Sequence, residues 1–369
     1  MKKTITLFGI FAVAIISLTA FQLTTALAQT STTVTKPPVK ATPTPTPTVN
    51  AASTPSPTPT PEEIYKVDTE LVNLNVRVID RNNRPINDIQ QKDFKIYEDG
   101  VLQQIDFFSR NEVPTTYSIV VDNSGSMRQQ LEKVIEAGKI LVSTNKPVDK
   151  TSVIRFVGKD KISIEQQLTS NKNELNDALD ELYIEGGQTA IVDAVYLATQ
   201  DLESEAKARG VDDRNRRAII LVTDGEDRDS FYQLKDLLAL LKESDVQIFV
   251  VGLVGDLSSE GGLIGKSPQE KAKAFLEQIA SVTGGKTYFP QSVNELPQIG
   301  RDIASELRTQ FSIGYIPSND AHDGTYRNIR VTVDDGPNKQ KRIAVTRTGR
   351  TADGDKPTLQ KGTQVPTKP

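Results

Sequence analysis

Across residues 114–309, short apolar runs alternate with longer stretches whose apolar residues recur every three or four positions. The runs at 116–121, 152–157, 218–223 and 246–251 are brief and rich in β-branched residues, so they are predicted to be core strands buried on both faces. A further run at 162–166 is predicted to fold back on the second as a hairpin, which makes 218–223 the fourth strand in chain order. Helical periodicity marks 129–143, with Leu131, Val134, Ile135, Leu141 and Val142 on one face, and recurs at 174–183, 191–208, 232–243, 269–282 and 294–307. This alternation predicts an α/β fold, a doubly wound and mainly parallel sheet with helices on both faces.

The flanks carry a different pattern. Over residues 64–113 apolar positions alternate in short runs (Leu74, Val76, Val78; Phe94, Ile96; Phe107, Phe108) separated by Asn82-Asn83 and Asp99-Gly100 turns, which predicts a small antiparallel sheet. Strand-like runs return at 311–316, 326–333 and 341–346, joined by turns at Asp323-Gly324 and Asp335-Gly336. Because the ends of a compact domain often lie close together, residues 310–348 are expected to pair with 64–113 into one β-sandwich-like unit. The polar segment 349–369 is expected to be a disordered tail.

The chain opens on Met1, Lys2 and Lys3, an apolar stretch to Phe21, and Ala26-Leu27-Ala28, the order of a secretory signal over residues 1–28. Its apolar stretch is longer than the usual ~7–15 residues, so a retained anchor is the one expected contact with a membrane. Residues 29–63 are a Pro/Thr-rich, disordered linker that lacks the large side chains needed to offset the entropy of folding. The expected location is therefore secreted or in the cell envelope.

Composition removes several functions. With no cysteine, the chain has neither disulfides nor thiolate metal sites, and its stability must come from ordinary apolar cores built by 37% hydrophobic residues. A net charge of −4 excludes a broad cationic field for nucleic acid. Arg214, Arg216 and Arg217 form the one dense basic cluster and are expected on a solvated loop. Oligomeric state is left open.

Candidate chemistry sits at two strand ends. The first core strand runs into Asp122-Asn123-Ser124-Gly125-Ser126 and the fourth ends in Thr223-Asp224-Gly225. In a parallel sheet both arrive at the same rim, so two carboxylates meet in one crevice. Such a pair repels unless a proton or cation lies between, and neighbouring hydroxyls on Ser124, Ser126 and Thr189 (within Gly186-Gly187-Gln188-Thr189) favour a hard ion. Mg²⁺ fits best, with Mn²⁺ or Ca²⁺ as substitutes, and the single histidine, His322, lies far along the chain. Ser126 could equally cap the first helix.

Asp-x-Ser-x-Ser after a first strand, Thr after a Gly-rich loop and Thr-Asp-Gly after a fourth strand resemble the metal-ion-dependent adhesion site of von Willebrand factor A domains. The resemblance covers about residues 114–307. It implies that Ser124, Ser126 and Thr189 ligate a divalent metal through their hydroxyls, with Asp122 and Asp224 acting directly or through water. The flanks are similar to bacterial secreted proteins of that superfamily, through the Glu98-Asp99-Gly100 turn. The function so implied is a non-enzymatic, extracytoplasmic interaction module that coordinates an Asp or Glu of a protein partner. Glu226, Asp227, Arg228, Asp229 and the 252–267 loop are expected on the rim. Two alternatives compete: an envelope-assembly component with a vestigial site, and a metal-dependent phosphatase-like hydrolase. The latter would need a carboxylate two residues after Asp122, where Ser124 stands.

Overall fold

The computed structural model describes residues 71–110, 113–209, 215–260 and 265–352. The predicted signal and linker lie outside these residues. The N-terminal flank supplies β1 (Val72–Ile79), β2 (Phe94–Glu98), β3 (Val101–Gln103) and β4 (Phe107–Ser109). The central body follows as β5 (Thr115–Asp122), α1 (Leu131–Ser143), β6 (Lys150–Phe156), β7 (Ile162–Thr169), α2 (Lys172–Asp180), α3 (Ile191–Arg209), β8 (Arg216–Thr223), α4 (Leu234–Glu243), β9 (Gln247–Gly252), α5 (Pro268–Val282), β10 (Lys286–Tyr288) and α6 (Leu296–Thr309). The chain then forms β11 (Phe311–Tyr315), β12 (Tyr326–Val333), β13 (Ile343–Val345) and β14 (Gly349–Thr351). Among the described residues no helix is long and apolar enough to cross a membrane.

The central sheet has the order β10-β9-β8-β5-β6-β7, parallel throughout except for β7, which pairs antiparallel with β6. Chain order runs outward from β5 in one direction and from β8 in the other, so the topological switch point falls between them, where open α/β sheets bind ligands. Strand alternation sorts β5 between two cores. Tyr117, Ile119 and Val121 pack with Val134, Leu179 and Ile303 of α1, α2 and α6, whereas Val120 faces Val195, Leu237 and Leu276 of α3, α4 and α5. The Gly284-Gly285 pair ends α5, with Gly284 in the left-handed region at φ 70° and its hypothetical Cβ 2.3 Å from the Thr346 carbonyl carbon.

The flanks build a sandwich of two four-stranded sheets, β13-β1-β11-β4 and β14-β12-β2-β3. The N-terminal run joins the C-terminal strands rather than closing a sheet of its own, in line with the expected pairing of the two flanks. β11 inserts between β1 and β4, and β2 and β3 join the opposite sheet. The physical reason is burial: Val72, Leu74, Val76, Phe94 and Ile96 need the C-terminal residues Phe311, Ile313 and Val331 to close one core around them. Phe94, Phe108 and Phe311 meet at its centre with ring centroids 5.2–5.9 Å apart. Asp99 and Gly100 both take positive φ in the two-residue turn between β2 and β3.

Two sequence-based expectations are corrected. The tail does not begin at 349: β14 pairs with β12, Ala352 donates its N–H to the Thr325 carbonyl at 2.9 Å, and Arg350 is buried against Glu98 at 3.1 Å. Main-chain pairing and a buried ion pair hold this polar strand, and neither has an apolar signature. Residues 353–369 lie outside the described set. The basic cluster is likewise not a solvated loop, because Arg216 and Arg217 begin β8 and are 1% and 9% exposed. Arg216 donates to the carbonyls of Leu307 and Gln310, to Asn75 Oδ1 and to Ser312 Oγ, so it ties the α6–β11 junction to β1 and β8. Arg217 pairs with Asp245 at 3.2 Å. Arg214 lies outside the described residues.

Candidate metal centre

β5 and β8 end side by side, which brings Asp122 and Asp224 to the switch point. Asp122 is fully buried: Oδ1 accepts the Ser124 N–H at 2.9 Å and Oδ2 accepts the Thr223 hydroxyl at 2.7 Å. One carboxylate therefore fixes the turn that presents Ser124 and the end of β8. Asn123 braces the same turn, its side-chain amide donating to the Tyr183 carbonyl at 2.6 Å. The hydroxyls of Ser124 and Ser126 lie 3.0 Å apart, and Ser126 donates to Asp224 Oδ2 at 2.6 Å. Ser126 is thus turned toward Asp224, and α1 starts only at Leu131 after a short 3₁₀ turn over Gly125–Gln129, so the helix-capping role expected of Ser126 is not realised.

Thr189 arrives from the loop before α3. Gly187 carries φ 137° there, and a Cβ on it would stand 2.7 Å from Val157 Cγ1, a close approach that only glycine allows. The Thr189 carbonyl accepts the N–H groups of Arg228 at 2.8 Å and Asp229 at 3.1 Å, locking this loop to the one after Asp224. Gly225, at φ 88°, makes the turn between them. Ser124, Ser126, Thr189 and Asp224 line one open cavity of about 340 Å³, with Glu226, Arg228, Asp256 and Gln130 also in its lining. Asp122 lies buried behind that wall.

Electrostatics mark the crowding. Burial pushes the Asp122 carboxyl up to about 6, with the nearby Asp224 charge adding to the rise and the Ser124 and Thr223 hydrogen bonds opposing it. A carboxyl raised in the folded state from 3.8 keeps its proton between about 4 and 6 when the unfolded chain has lost it, so ionisation costs stability as pH rises through that window. In chelator, the thermal midpoint should therefore rise as pH is lowered from 7 toward 5, and Asp122→Asn should flatten the slope. A divalent cation competes with that proton, so Mg²⁺ affinity should weaken over the same interval. A midpoint independent of pH in chelator would contradict this reading of Asp122.

The donor set suits a hard divalent ion: Asp122 and Asp224 meet at the switch point, and Ser124, Ser126 and Thr189 line the cavity beside them. Among the described residues no group of three or more His, Cys, Asp or Glu could hold a metal. Residues 118–302, half of the chain, match the von Willebrand factor type A domain. The chain belongs to this family. The chain is 38% identical over 115 residues to the uncharacterized protein sll0103 of Synechocystis sp., a stretch that is 31% of this chain and 26% of that protein. Solved structures with some likeness include a von Willebrand factor type A protein of Catenulispora acidiphila (12% identity, 77% of this chain and 76% of that one, TM-score 0.44). Others are BatB of Bacteroides thetaiotaomicron (22%, 52% and 98%, 0.39) and a mussel-byssus proximal thread matrix protein 1 with a zinc-occupied MIDAS motif (21%, 57% and 49%, 0.41).

Several contributors escape a reading of the motif alone. Thr223 of the type A domain orients Asp122 and also accepts the Gly225 N–H at 3.2 Å. Asp193 accepts the N–H groups of Phe231 at 2.7 Å and Tyr232 at 2.9 Å, and Asp227 accepts that of Val192 at 3.1 Å. Of the four expected rim residues, Glu226 and Arg228 line the cavity, whereas Asp227 turns to the start of α3 and Asp229 to Gly158 and Lys159. The acidic residue in the first turn of α3 was the available signal for Asp193, since such a side chain is placed to accept free N–H groups. Nothing local marks it as an anchor for a loop 38 residues away.

Proposed function

We propose that this chain is an extracytoplasmic, non-enzymatic binding module that captures an acidic side chain of a protein partner through Mg²⁺. Ser124, Ser126 and Thr189 would hold the ion by their hydroxyls, Asp224 would contribute its carboxylate, and Asp122 would set the turn and supply charge from behind. When bound, the ion would offer an open coordination position to a carboxylate oxygen. The observation that carries the reading is the convergence of these hydroxyls and Asp224 on one open cavity, with a second carboxylate buried directly behind it. Neutral hydroxyls leave the charge of a divalent ion incompletely balanced, and that residual charge is what would attract the partner.

Ser124 stands where a phosphotransferase-type site would carry its acid–base carboxylate, and its hydroxyl is engaged with Ser126. His322 sits in the β11–β12 connection, outside the residues that match the type A domain. The test is capture of envelope proteins by the immobilised protein in Mg²⁺ and in EDTA, with Thr189→Ala as control. Binding should require both the cation and Thr189. Equal capture in EDTA would leave the assembly role, without a working metal site, in its place.

A further inference from the structure

The loop after Asp224 carries more than metal chemistry. Its backbone is pinned at both ends, by the Thr189 carbonyl on Arg228 and Asp229 and by the Asp193 carboxylate on Phe231 and Tyr232. Yet Phe231 is 77% exposed, the most open of the large apolar side chains among the described residues. It stands edge-on to Tyr232 at 5.3 Å and 87°, and Tyr232 stacks on Tyr196 of α3 at 4.1 Å and 9°. An aromatic ledge held this firmly loses little entropy when covered, which is how binding hot spots are built.

A groove of about 670 Å³ runs beside the ledge over Leu234, Ala272 and Phe275, and Glu226 and Arg228 line both this groove and the metal cavity. Its charges are largely spent within the protein. Glu226 pairs with Arg228, and Asp227 accepts from Val192 and from Ser230 at 2.6 Å. Lys271 adds a positive charge to the lining of the groove. Apolar rings at a groove that shares Glu226 and Arg228 with the carboxylate site, and that carries Lys271 in its lining, complement a segment that is both acidic and aromatic.

We infer that the partner binds as an extended peptide segment, with an Asp or Glu carboxylate at the metal cavity and an adjacent aromatic side chain packed on the Phe231–Tyr232 ledge. This deepens the proposed function and rests on it. Ligand-observed NMR titrations of the full chain in Mg²⁺ would compare N-acetyl-Asp-Phe-amide, N-acetyl-Asp-Gly-amide and N-acetyl-Asn-Phe-amide. The Asp-Phe probe should bind about 10-fold more tightly than Asp-Gly, as expected for partial burial of one ring. Phe231→Ala should erase that advantage while leaving Asp-Gly binding unchanged, and EDTA should abolish both.

If Asp-Phe and Asp-Gly bind equally in Mg²⁺, or Phe231→Ala changes nothing, the ledge has no role while the metal reading stands. If Asn-Phe binds as well as Asp-Phe, the ledge acts without the carboxylate and the linked site is wrong. If neither Asp probe binds and calorimetry shows no Mg²⁺ uptake, the metal reading fails and this inference falls with it.

Discussion

Thr189→Ala should lower Mg²⁺ affinity by roughly 100-fold or more, since even outer-shell partners of a metal commonly account for ~10–100-fold, while leaving the thermal midpoint in chelator nearly unchanged. The contrast comes from how Thr189 is held. Its structural work is done by the main-chain carbonyl, which accepts from Arg228 and Asp229 and survives the substitution. Asp122→Ala is a poorer test, because it would leave the buried Ser124 N–H and Thr223 hydroxyl without acceptors, at ~1–3 kcal/mol each. Calorimetric titration of Mg²⁺ beside thermal unfolding in EDTA separates ligand loss from damage to the fold. Unchanged Mg²⁺ affinity in Thr189→Ala would remove this residue from the site.

Arg216→Leu should destabilise the chain by about 3–5 kcal/mol, one of the largest single-residue effects outside the apolar cores. The guanidinium is 1% exposed and serves the carbonyls of Leu307 and Gln310 together with Asn75 and Ser312. A leucine fills part of the volume and strands those acceptors away from water. Arg217→Leu should cost distinctly less, because its partner Asp245 is 37% exposed and regains water when the pair is broken. Urea unfolding of the two variants measures the difference. A loss below about 1 kcal/mol in Arg216→Leu would mean that water reaches the α6–β11 junction.

The sandwich and the type A body are joined by other charged contacts of the same kind. Glu306 of α6 receives Arg77 of β1 at 3.2 Å and Lys286 of β10 at 2.8 Å, and Arg347 reaches Asp245 at 2.6 Å. α6 therefore follows α5 and β10 in sequence and is tethered by its last turns to the flanking strands. The flanks are built into the domain through these residues rather than strung beside it.

Local pattern was enough to place the strands and helices of the central body, the order of the first four strands, and Asp122, Ser124, Ser126 and Asp224 at or just after strand ends, with Thr189 in the loop before α3. A period of two or of 3.6 residues reports which face of an element meets an apolar core, and motif residues next to strand ends inherit their position from the sheet. Tertiary structure alone decided that β11 separates β1 from β4, that Arg216, Glu98 and Arg350 are buried, that a polar β14 closes the second sheet, and that Asp193 pins the aromatic ledge on the neighbouring groove. Each of these rests on hydrogen bonds or ion pairs between residues well separated in the chain, from 27 positions (Ala352 to Thr325) to 252 (Arg350 to Glu98). A charged or polar side chain looks the same in sequence whether water or a distant carbonyl satisfies it, and only the folded chain determines which of the two it meets.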